Sequence, residues 1–472
     1  MTKMAQAECR ASKSFERYAE AQPILCNRER GKYESALLWF YKIILSTYLY
    51  QNKICLLNNN TMYTLGIYLY TIAAVIASIF SKKIRKRIYG IGQTFLLLHR
   101  HIKPTDKVVW FHAASLGEFE QGRPIMERLG KEHPEYKILL TFFSPSGYEV
   151  RKDYEGADLV CYIPFDTPGN VMSFLRLAHP EIAVFIKYEF WTNFLTAMHK
   201  RGVKTYSVSS IFREDQHFFK WYGSLKPLKQ FDHLFVQNKF SQDLLAKHGI
   251  TNTTVVGDTR LDRVIDIKNA AAPLPLVEQF AGDAPCFIAG SSWGPDEEIY
   301  IPYFANHKDW KLIIAPHVIS ESHLREIEKL LTENGMESIR YTDIESGKEH
   351  MPDDTHGIAL IVNCFGKLSS IYRYGKVALV GGGFGVGIHN VPEAAVYGIP
   401  VIFGPNNRKF REAQALKACG GSFEYKDSET FANIMDRFIT NADALNKAGE
   451  AAGKYINSNA GAADKCFHAI FD

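Results

Sequence analysis

Short apolar runs separated by amphipathic stretches recur along the chain from about residue 105 onward. Such runs, bounded by polar turns, are typical of strands buried on both faces of a parallel sheet. A first series predicts strands at 107–112, 136–143, 159–163, 182–186, 203–208, 233–236 and 254–256, with a helix over 117–129. A second series predicts strands at 285–289, 310–315, 358–362, 377–380 and 400–403.

A stretch rich in Ala and Pro, 268–276, separates the two series and is predicted to be a linker. The predicted fold class is therefore α/β, with two doubly wound, Rossmann-like domains at 88–267 and 277–472 that face a cleft. In such folds the carboxyl ends of the strands gather ligands. The length of 472 residues agrees with two domains plus appendages.

No charged residue occurs between Lys53 and Lys82, and the centre of this interval, 63–80, is apolar and long enough to cross a bilayer. Five cations follow within 81–87. The positive-inside rule therefore predicts a single-pass, N-terminal transmembrane helix over 62–81, with both domains on the cytoplasmic side. A buried core helix or an uncleaved signal-like segment would share this apolar pattern.

Residues 1–61 differ from the rest of the chain. They contain a second, partly apolar stretch at 36–50 that Lys42 interrupts, and Met62 stands immediately before the anchor. We expect natural translation to begin at Met62, which makes 1–61 an N-terminal extension that is not native. Peptides from 1–61 in the native protein would refute this expectation.

The composition is that of a globular protein, with 46% hydrophobic and 22% charged residues. The net charge is only +4, so no overall charge excess indicates a nucleic-acid partner. The eight cysteines are scattered, without a C-x-x-C pair or a His companion at metal spacing. This arrangement argues against a disulfide scaffold or a zinc site and favours a reducing compartment.

The most distinctive local pattern is Gly-Gly-Gly-Phe-Gly-Val-Gly-Ile-His-Asn-Val-Pro-Glu at 381–393, directly after the apolar run 377–380. Glycines let backbone N–H groups approach an anion, and Asn390, Pro392 and Glu393 fit a capped helix start. The pattern predicts a phosphate site at a helix N-terminus, with a tight turn that binds no ligand as the alternative. The loop lacks the Gly-Lys-Ser/Thr of a Walker motif.

Six motifs in a fixed order carry a family resemblance. They are His112-Ala-Ala-Ser-Leu-Gly-Glu118, Lys187-Tyr-Glu-Phe-Trp-Thr-Asn193, Gly257-Asp-Thr-Arg-Leu-Asp262, Gly290-Ser-Ser-Trp-Gly-Pro-Asp-Glu-Glu298, Ala315-Pro-His317, and 381–393 followed by Gly404-Pro405. With them the chain, from Met62 to its end, resembles the 3-deoxy-D-manno-octulosonic acid (Kdo) transferases, the membrane-anchored glycosyltransferases of lipopolysaccharide assembly.

The resemblance implies the GT-B fold and a transfer that needs no metal and no other cofactor. The implied donor is CMP-Kdo, and the implied acceptor is the acylated glucosamine disaccharide of the lipid A precursor, lipid IVA, in the bacterial inner membrane. The basic run at 82–87, with Arg100 and Lys103, would hold the cleft near anionic lipid headgroups.

By resemblance Glu118 is the general base of an inverting reaction, because a carboxylate must take the proton of the attacking hydroxyl and a helix N-terminus favours its ionised form. Glu189 would stabilise the oxocarbenium-like transition state or hold the sugar, and Arg260 would offset the Kdo carboxylate or the departing phosphate. The alternatives are structural: helix capping for Glu118, a strand-end role for Glu189, and a salt bridge of Arg260 with Asp258 or Asp262.

The resemblance places the donor in the second domain. The residues expected to bind CMP are Pro316, His317, Phe365, Gly366, Lys367, Asn390, Val391, Pro392 and Glu393, and further candidate donor contacts are Ser291, Ser292, Gly382 and Gly383. The two serines could equally cap the helix that follows them. The chain departs from the family at Lys187, where an acidic residue is usual, at Thr192, where Pro is usual, and before His317, where an Arg is missing.

Two other functions are compatible with the pattern. A sugar-nucleotide epimerase or a UDP-sugar transferase would share the fold, although a diphosphate donor favours more cations around 381–389 than the sequence has. A non-catalytic, membrane-tethered relative would keep the fold without the transfer. The presence of Glu118, Glu189 and Arg260 argues against this last function.

Overall fold

The computed structural model of the protein describes residues 61–221, 223–385 and 387–472. The expected extension at 1–61 lies outside the described residues except for Thr61. The prediction that translation begins at Met62 therefore stays a prediction.

Two long helices precede the first sheet, α1 (Thr61–Phe80) and α2 (Lys82–His101). Among the described residues, α1 is the one helix that is long and apolar enough to cross a membrane. Ser81 caps α2, since its hydroxyl accepts a hydrogen bond from the N–H of Ile84 at 3.4 Å. The Arg87 guanidinium of α2 donates to the Tyr70 hydroxyl of α1 at 2.8 Å, so the two helices pack together as a hairpin.

The first domain is a seven-stranded sheet with helices on both faces. In chain order its elements are β1 (Lys107–Ala113), α3 (Leu116–Glu132), β2 (Tyr136–Phe142), α4 (Pro145–Arg151), β3 (Leu159–Tyr162), α5 (Pro168–Ala178), β4 (Ile182–Ile186), α6 (Thr192–Arg201), β5 (Lys204–Ser210), β6 (His233–Val236), α7 (Lys239–Lys247), β7 (Thr253–Val255) and α8 (Thr259–Ala270). All neighbouring strands pair in parallel, in the order β3-β2-β1-β4-β5-β6-β7.

The second domain repeats this architecture with another seven-stranded parallel sheet, in the order β10-β11-β9-β8-β12-β13-β14. Its elements are α9 (Pro275–Ala281), β8 (Cys286–Ser292), α10 (Gly294–Ala305), β9 (Lys311–Pro316), α11 (Glu321–Glu333), β10 (Glu337–Arg340), α12 (Tyr341–Glu345), β11 (Ile358–Ile361), α13 (Leu368–Ile371), β12 (Val377–Val380), α14 (Pro392–Ala395), β13 (Val401–Phe403), α15 (Arg411–Ala418), β14 (Ser422–Glu424), α16 (Ser428–Thr440), α17 (Ala442–Asn459) and α18 (Ala462–Phe471).

Residues of β1 show why the strands are continuously apolar. Trp110 packs into the cluster on one face of the first sheet, and its neighbour Phe111 packs into the cluster on the other face. Both side chains are fully buried. Because helices cover both faces of the sheet, apolar and polar residues do not alternate along its strands. Each strand is instead a continuous apolar run, which is the pattern that predicts it from the sequence.

Every predicted strand is present, but β10 and β14 are not predicted by the pattern. They are the edge strands of the second sheet and carry polar residues, Glu337–Arg340 and Ser422–Glu424. The predicted linker at 268–276 is also too long. Helix α8 continues to Ala270 and α9 begins at Pro275, which leaves 271–274 as the connection.

The last helix crosses back to the first domain. Cys466 and Phe467 of α18 are buried in the same apolar cluster as Leu129 of α3. The Arg128 guanidinium of α3 donates to the Asp464 carboxylate at 3.0 Å. By packing, the end of the expected second-domain range therefore belongs to the first domain, and the chain closes around both sheets.

Candidate functional site

Each sheet has a switch point, where the connections of two neighbouring strands leave in opposite directions and the carboxyl ends border a crevice. In the first sheet this point lies between β1 and β4, which lead into 112–118 and 187–193. In the second sheet it lies between β8 and β12, which lead into 291–293 and 381–393. Most of the predicted site residues therefore fall at these two edges.

Glu118 lies in the first turn of α3, which begins directly after β1. Its side chain is half-buried, and its carboxylate accepts a hydrogen bond from the hydroxyl of Ser115, the N-cap residue. Ser115 makes no side-chain cap bond to the helix backbone. The carboxylate is therefore held at the edge of the first domain, outside the apolar core.

Glu189 is bound into a buried network that the sequence patterns did not single out. Its Oε2 atom accepts a hydrogen bond from Trp191 Nε1 at 2.9 Å and lies 3.1 Å from Nε2 of His112. The fully buried His112 ring contacts Thr141 through Nδ1, at 2.8 Å from Oγ1 and 3.1 Å from the carbonyl oxygen. With its proton on Nε2, the ring donates to the Glu189 carboxylate and accepts through Nδ1 from the Thr141 hydroxyl.

Arg87 departs from the expectation that the whole basic run at 82–87 contacts lipid headgroups. It is buried, and its guanidinium carbon lies 3.5 Å from the centre of the Phe143 ring. Burial lowers the pKa of Arg87. The side chain therefore belongs to the interior of the first domain, whereas Lys82, Lys83 and Arg85 are exposed.

Strained backbone marks both crevices. Lys187, Ser209 and Ser291 have φ values of 69°, 58° and 52°, a region that non-glycine residues rarely occupy. Lys187 directly follows β4, and Ser209 and Ser291 are the second-last residues of β5 and β8. Thr192, where the family usually has Pro, is the first residue of α6, a position that suits either residue.

Arg260 forms the salt bridge that was the alternative to a substrate contact. Its guanidinium donates to Asp258 at 2.6 and 2.9 Å and to Glu412 of the second domain at 3.1 Å. Burial disfavours its charge, but the two carboxylates outweigh this and raise its pKa. Asp262 instead accepts hydrogen bonds from the N–H groups of Gly461 and Ala463. Arg260 thus joins the two domains.

Three N–H groups of the glycine-rich loop have partners within the protein and are not free to bind an anion. The N–H groups of Gly381, Gly382 and Gly385 donate to Gly290, Asp296 and Gly382 within the protein. The glycines serve close packing instead, since a Cβ at Gly381 would lie 2.3 Å from the carbonyl oxygen of Ser291. The loop is therefore a compact turn that fixes the residues after it.

The expected capping box at 390–393 is also absent. Helix α14 begins at Pro392, its N-cap residue is Val391, and it spans only four residues. Asn390 instead donates through Nδ2 to the carboxylate of Glu393 at 2.7 Å. Burial raises the pKa of Glu393, and Asn390 opposes this shift.

A cavity of about 190 Å³ opens beside this pair, at the switch point of the second sheet. It is lined by Ser291, His317, Leu368, Tyr372, Val380, His389, Asn390 and Glu393. Within it, Oδ1 of Asn390 is buried and has no hydrogen-bond partner among the described residues. A buried acceptor without a partner is costly, so this atom is suited to a ligand that donates a hydrogen bond.

Three stacked rings border the cavity. The His317 ring lies 4.8 Å from that of Trp293 and 4.2 Å from that of His389, with interplanar angles of 25° and 24°. Trp293 donates through Nε1 to Nε2 of His389 at 3.2 Å. Burial and the nearby His317 lower the pKa of His389. Sequence reasoning identified only His317 of these three.

Several predicted donor contacts do not line the cavity. Ser292 is fully buried and donates to Glu297 at 2.9 Å, so it neither faces the cavity nor caps α10. Lys367 pairs with Glu345 at 3.1 Å, and Phe365 is 77% exposed. The remaining predicted residues outside the lining are Pro316, Gly366, Gly382, Gly383, Val391 and Pro392.

A larger cavity of about 550 Å³ lies beside α6. It is lined by Thr196, His199, Lys200, Leu225, Lys226, Lys229 and Gln230, none of which was predicted to be a site residue. Among the residues that the structure describes, no group of three or more His, Cys, Asp or Glu side chains could hold a metal ion.

Residues 85–263 match the family described as "3-Deoxy-D-manno-octulosonic-acid transferase (kdotransferase)". The 3-deoxy-D-manno-octulosonic acid transferase of Aquifex aeolicus is 28% identical over 367 residues, which cover 75% of this chain and 93% of that protein. The corresponding protein of Chlamydia trachomatis serovar D is 26% identical over 67% of this chain and 73% of its own length. That of Haemophilus influenzae is 21% identical, with coverages of 76% and 85%.

Solved structures share the two-domain architecture. A glycosyltransferase from Rickettsia africae aligns with a TM-score of 0.51 at 12% identity, over 78% of this chain and 98% of that one. A UDP-GlcNAc 2-epimerase from Neisseria meningitidis aligns with a TM-score of 0.51 at 14% identity, over 75% and 98%. At these identities the likeness concerns the fold alone.

Proposed function

Because the chain belongs to the Kdo transferase family and has the GT-B fold, we propose that it moves Kdo from CMP-Kdo to the lipid A precursor lipid IVA in lipopolysaccharide synthesis. The observation that carries this proposal is the similarity to the A. aeolicus transferase over 93% of that protein's length. The crevice of the first domain receives the acceptor, and the cavity of the second domain receives the nucleotide.

Glu118 is the general base of the proposed reaction. Its position in the first turn of α3 favours a negative charge, and it lies outside the core. The carboxylate takes the proton of an acceptor hydroxyl as that oxygen bonds to the anomeric carbon of Kdo. The bond between that carbon and the cytidylate oxygen breaks on the opposite face, and its electron pair leaves with CMP.

Glu189 supports the positive charge that develops on the sugar. Its carboxylate is fixed by Trp191 and His112 behind the crevice, so little reorganisation is needed when the charge appears. His112 is a positioning residue in this scheme. It holds Glu189 through Nε2 and is itself held by Thr141.

CMP occupies the cavity beside Asn390. The unpartnered Oδ1 of Asn390 accepts a hydrogen bond from a ribose hydroxyl or from the amino group of cytosine. Because the Trp293 donor occupies Nε2 of His389 and burial favours the neutral ring, Nδ1 of that histidine is a donor for the phosphate. The exposed ring of His317 stacks on His389 and also lines the cavity, beside the proposed position of the phosphate.

Arg260 acts on the domains instead of the donor. Its Nε, Nη1 and Nη2 groups donate to Asp258 and Glu412, so its contribution is to fix the second domain relative to α8. We propose that this contact keeps the two crevices at a distance that one sugar can span.

The acceptor is a lipid, so the enzyme works at a membrane. Helix α1 exposes apolar residues along one side, which supports attachment to the bacterial inner membrane with the two domains on the cytoplasmic face. We propose that the transfer itself needs no metal ion, and addition of EDTA is expected to leave the rate unchanged.

The test is incubation of the purified full-length protein with CMP-Kdo and lipid IVA, followed by mass spectrometry of the lipid. A mass increase of one or two Kdo units supports the proposal and counts the units added. No product with CMP-Kdo, together with turnover of a UDP-sugar, would replace it with the UDP-sugar alternative.

A further inference from the structure

Helix α1 contacts the first domain along much of its length, although its composition is that of a bilayer-crossing segment. Near its start, the Tyr63 hydroxyl donates to Oδ2 of Asp166 at 2.7 Å. Midway, the Tyr70 ring packs edge-on against Phe165 at 5.8 Å. One turn further, Ala74 is buried in a cluster that contains Phe165. The helix therefore lies against the domain from its first turn to beyond its middle.

These contacts disagree with a transmembrane path. A helix of 20 residues is about 30 Å long, which is the thickness of the hydrocarbon core. If α1 crossed the bilayer, Tyr63 and Lys82 would lie on opposite sides. Tyr63 is bonded to Asp166, and α2, which begins at Lys82, packs on the same domain. Both ends of α1 therefore lie on one side.

The side of α1 that faces away from the domain is an apolar stripe. Its residues are all more than 40% exposed: Met62, Leu65, Leu69, Ile72, Ile76, Ile79 and Phe80. The first six recur every three or four positions, and Phe80 lies about five turns after Met62. This spacing places them on one face of the helix. A long helix with one apolar face suits the boundary between headgroups and acyl chains.

Basic residues lie beyond both ends of the stripe. At the C-terminal end, Lys82, Lys83 and Arg85 are exposed. At the N-terminal end, the N–H of Thr192 donates to the Tyr63 hydroxyl at 3.4 Å. The cavity of about 550 Å³ lies further along α6, at Thr196, His199 and Lys200, and its lining contains three lysines, one histidine and no acidic residue.

We propose that α1 docks lengthwise in the surface of an anionic bilayer, with its apolar stripe in the acyl boundary and the basic groups at both of its ends on lipid headgroups. This arrangement replaces the single-pass anchor predicted over 62–81. It rests on the membrane association proposed above, but not on the transfer chemistry. It also brings the 187–193 crevice edge to the membrane surface, because Thr192 contacts Tyr63.

Spin-label depth measurements distinguish the two paths. Leu65, Ile72 and Ile79 lie on one face at seven-residue spacing, and each is replaced by Cys in a full-length background whose native cysteines are serines. The labelled proteins are bound to vesicles of phosphatidylcholine and phosphatidylglycerol. Lengthwise docking predicts the same shallow depth for all three labels. A label at 72 that is deeper than both others by about 10 Å, as crossing requires, overturns the proposal.

Charge reversal tests the N-terminal end separately. The double variant Lys200→Glu with Lys229→Glu is expected to bind the same vesicles at least about tenfold more weakly, with little change on pure phosphatidylcholine. Lys329→Glu on α11 of the second domain is the matched control and is expected to bind normally. Unchanged binding of the double variant overturns the proposal. Failure of the unmodified protein to bind any vesicle overturns it together with the membrane association.

Discussion

Nε2 of His112 lies 3.1 Å from Oε2 of Glu189 at the carboxyl end of the first sheet. The imidazole is fully buried between β2 and the crevice, whereas the carboxylate remains partly exposed. A buried ring that contacts a backbone carbonyl on one side and a carboxylate on the other has a fixed orientation. The pair therefore presents Glu189 to the crevice in one defined position.

His112→Phe is expected to lower kcat by about 10- to 100-fold, because Glu189 loses the group that orients it. His112→Gln, which keeps a donor near Glu189, is expected to retain more activity. The dissociation constant of CMP should stay unchanged in both variants, since the proposed CMP cavity lies in the second domain. The measurements are kcat, KM for the acceptor, and CMP titration. Full activity of the Phe variant would show that the network is only structural.

Asn390→Ala is expected to weaken CMP binding roughly five- to tenfold, because one hydrogen bond to the ligand is lost. The variant also frees Glu393, whose carboxylate accepts from Asn390 Nδ2. Asn306→Ala, an exposed change on the same domain, is the control. Isothermal titration with CMP measures both variants. Equal CMP affinities of the two variants would show that CMP does not bind in this cavity.

The raised pKa of Asp166 leads us to expect that the stability of the protein depends on pH. Burial raises its pKa to about 7, although hydrogen bonds from Asn193, Tyr63 and Phe194 oppose the shift. The folded state therefore binds a proton that the unfolded state releases near pH 4, so the contribution to stability is present at low pH and is lost as pH rises to about 7.

The unfolding free energy of the unmodified protein, relative to Asp166→Asn, is expected to fall by up to about 4 kcal/mol between pH 4 and pH 7.5. The Asn side chain cannot titrate, and it keeps a similar volume. Urea unfolding at several pH values measures the difference. A constant difference across this range would contradict the raised pKa.

The salt bridge between Arg260 and Glu412 leads us to expect a coupling between the two domains. If Arg260 acts through its bond to Glu412, then Arg260→Met and Glu412→Gln should each lower kcat by similar factors, and the double variant should lose little more. A double-mutant cycle on kcat and on unfolding free energy measures this. If Arg260→Met lowers kcat far more than Glu412→Gln does, Arg260 contacts the donor directly.

Most of the strands follow from the sequence because strands buried on both faces are continuously apolar, as Trp110 and Phe111 show. The edge strands β10 and β14 do not, since their polar residues resemble a loop. The crossing of α18 depends on contacts such as Phe467 with Leu129, which are distant in the chain and leave no periodic signal.

For the site, the sequence located the right strand ends but not the side-chain partners. The glycine loop pattern fits an N–H cradle and a packed turn equally well, and only the contacts of Gly381 and Gly382 decide between them. His112 stood within a recognised motif, yet its role depends on Glu189, a residue far away in sequence. Pairings of this kind are set by the fold.

The most direct test of the account compares Glu118→Gln with Glu132→Gln, an exposed carboxylate at the other end of α3. With CMP-Kdo and lipid IVA as substrates, Glu118→Gln is expected to lose roughly 10²- to 10⁴-fold in transfer rate while its CMP affinity is unchanged, and Glu132→Gln is expected to behave normally. Normal turnover by Glu118→Gln would contradict the assignment of Glu118 as the base.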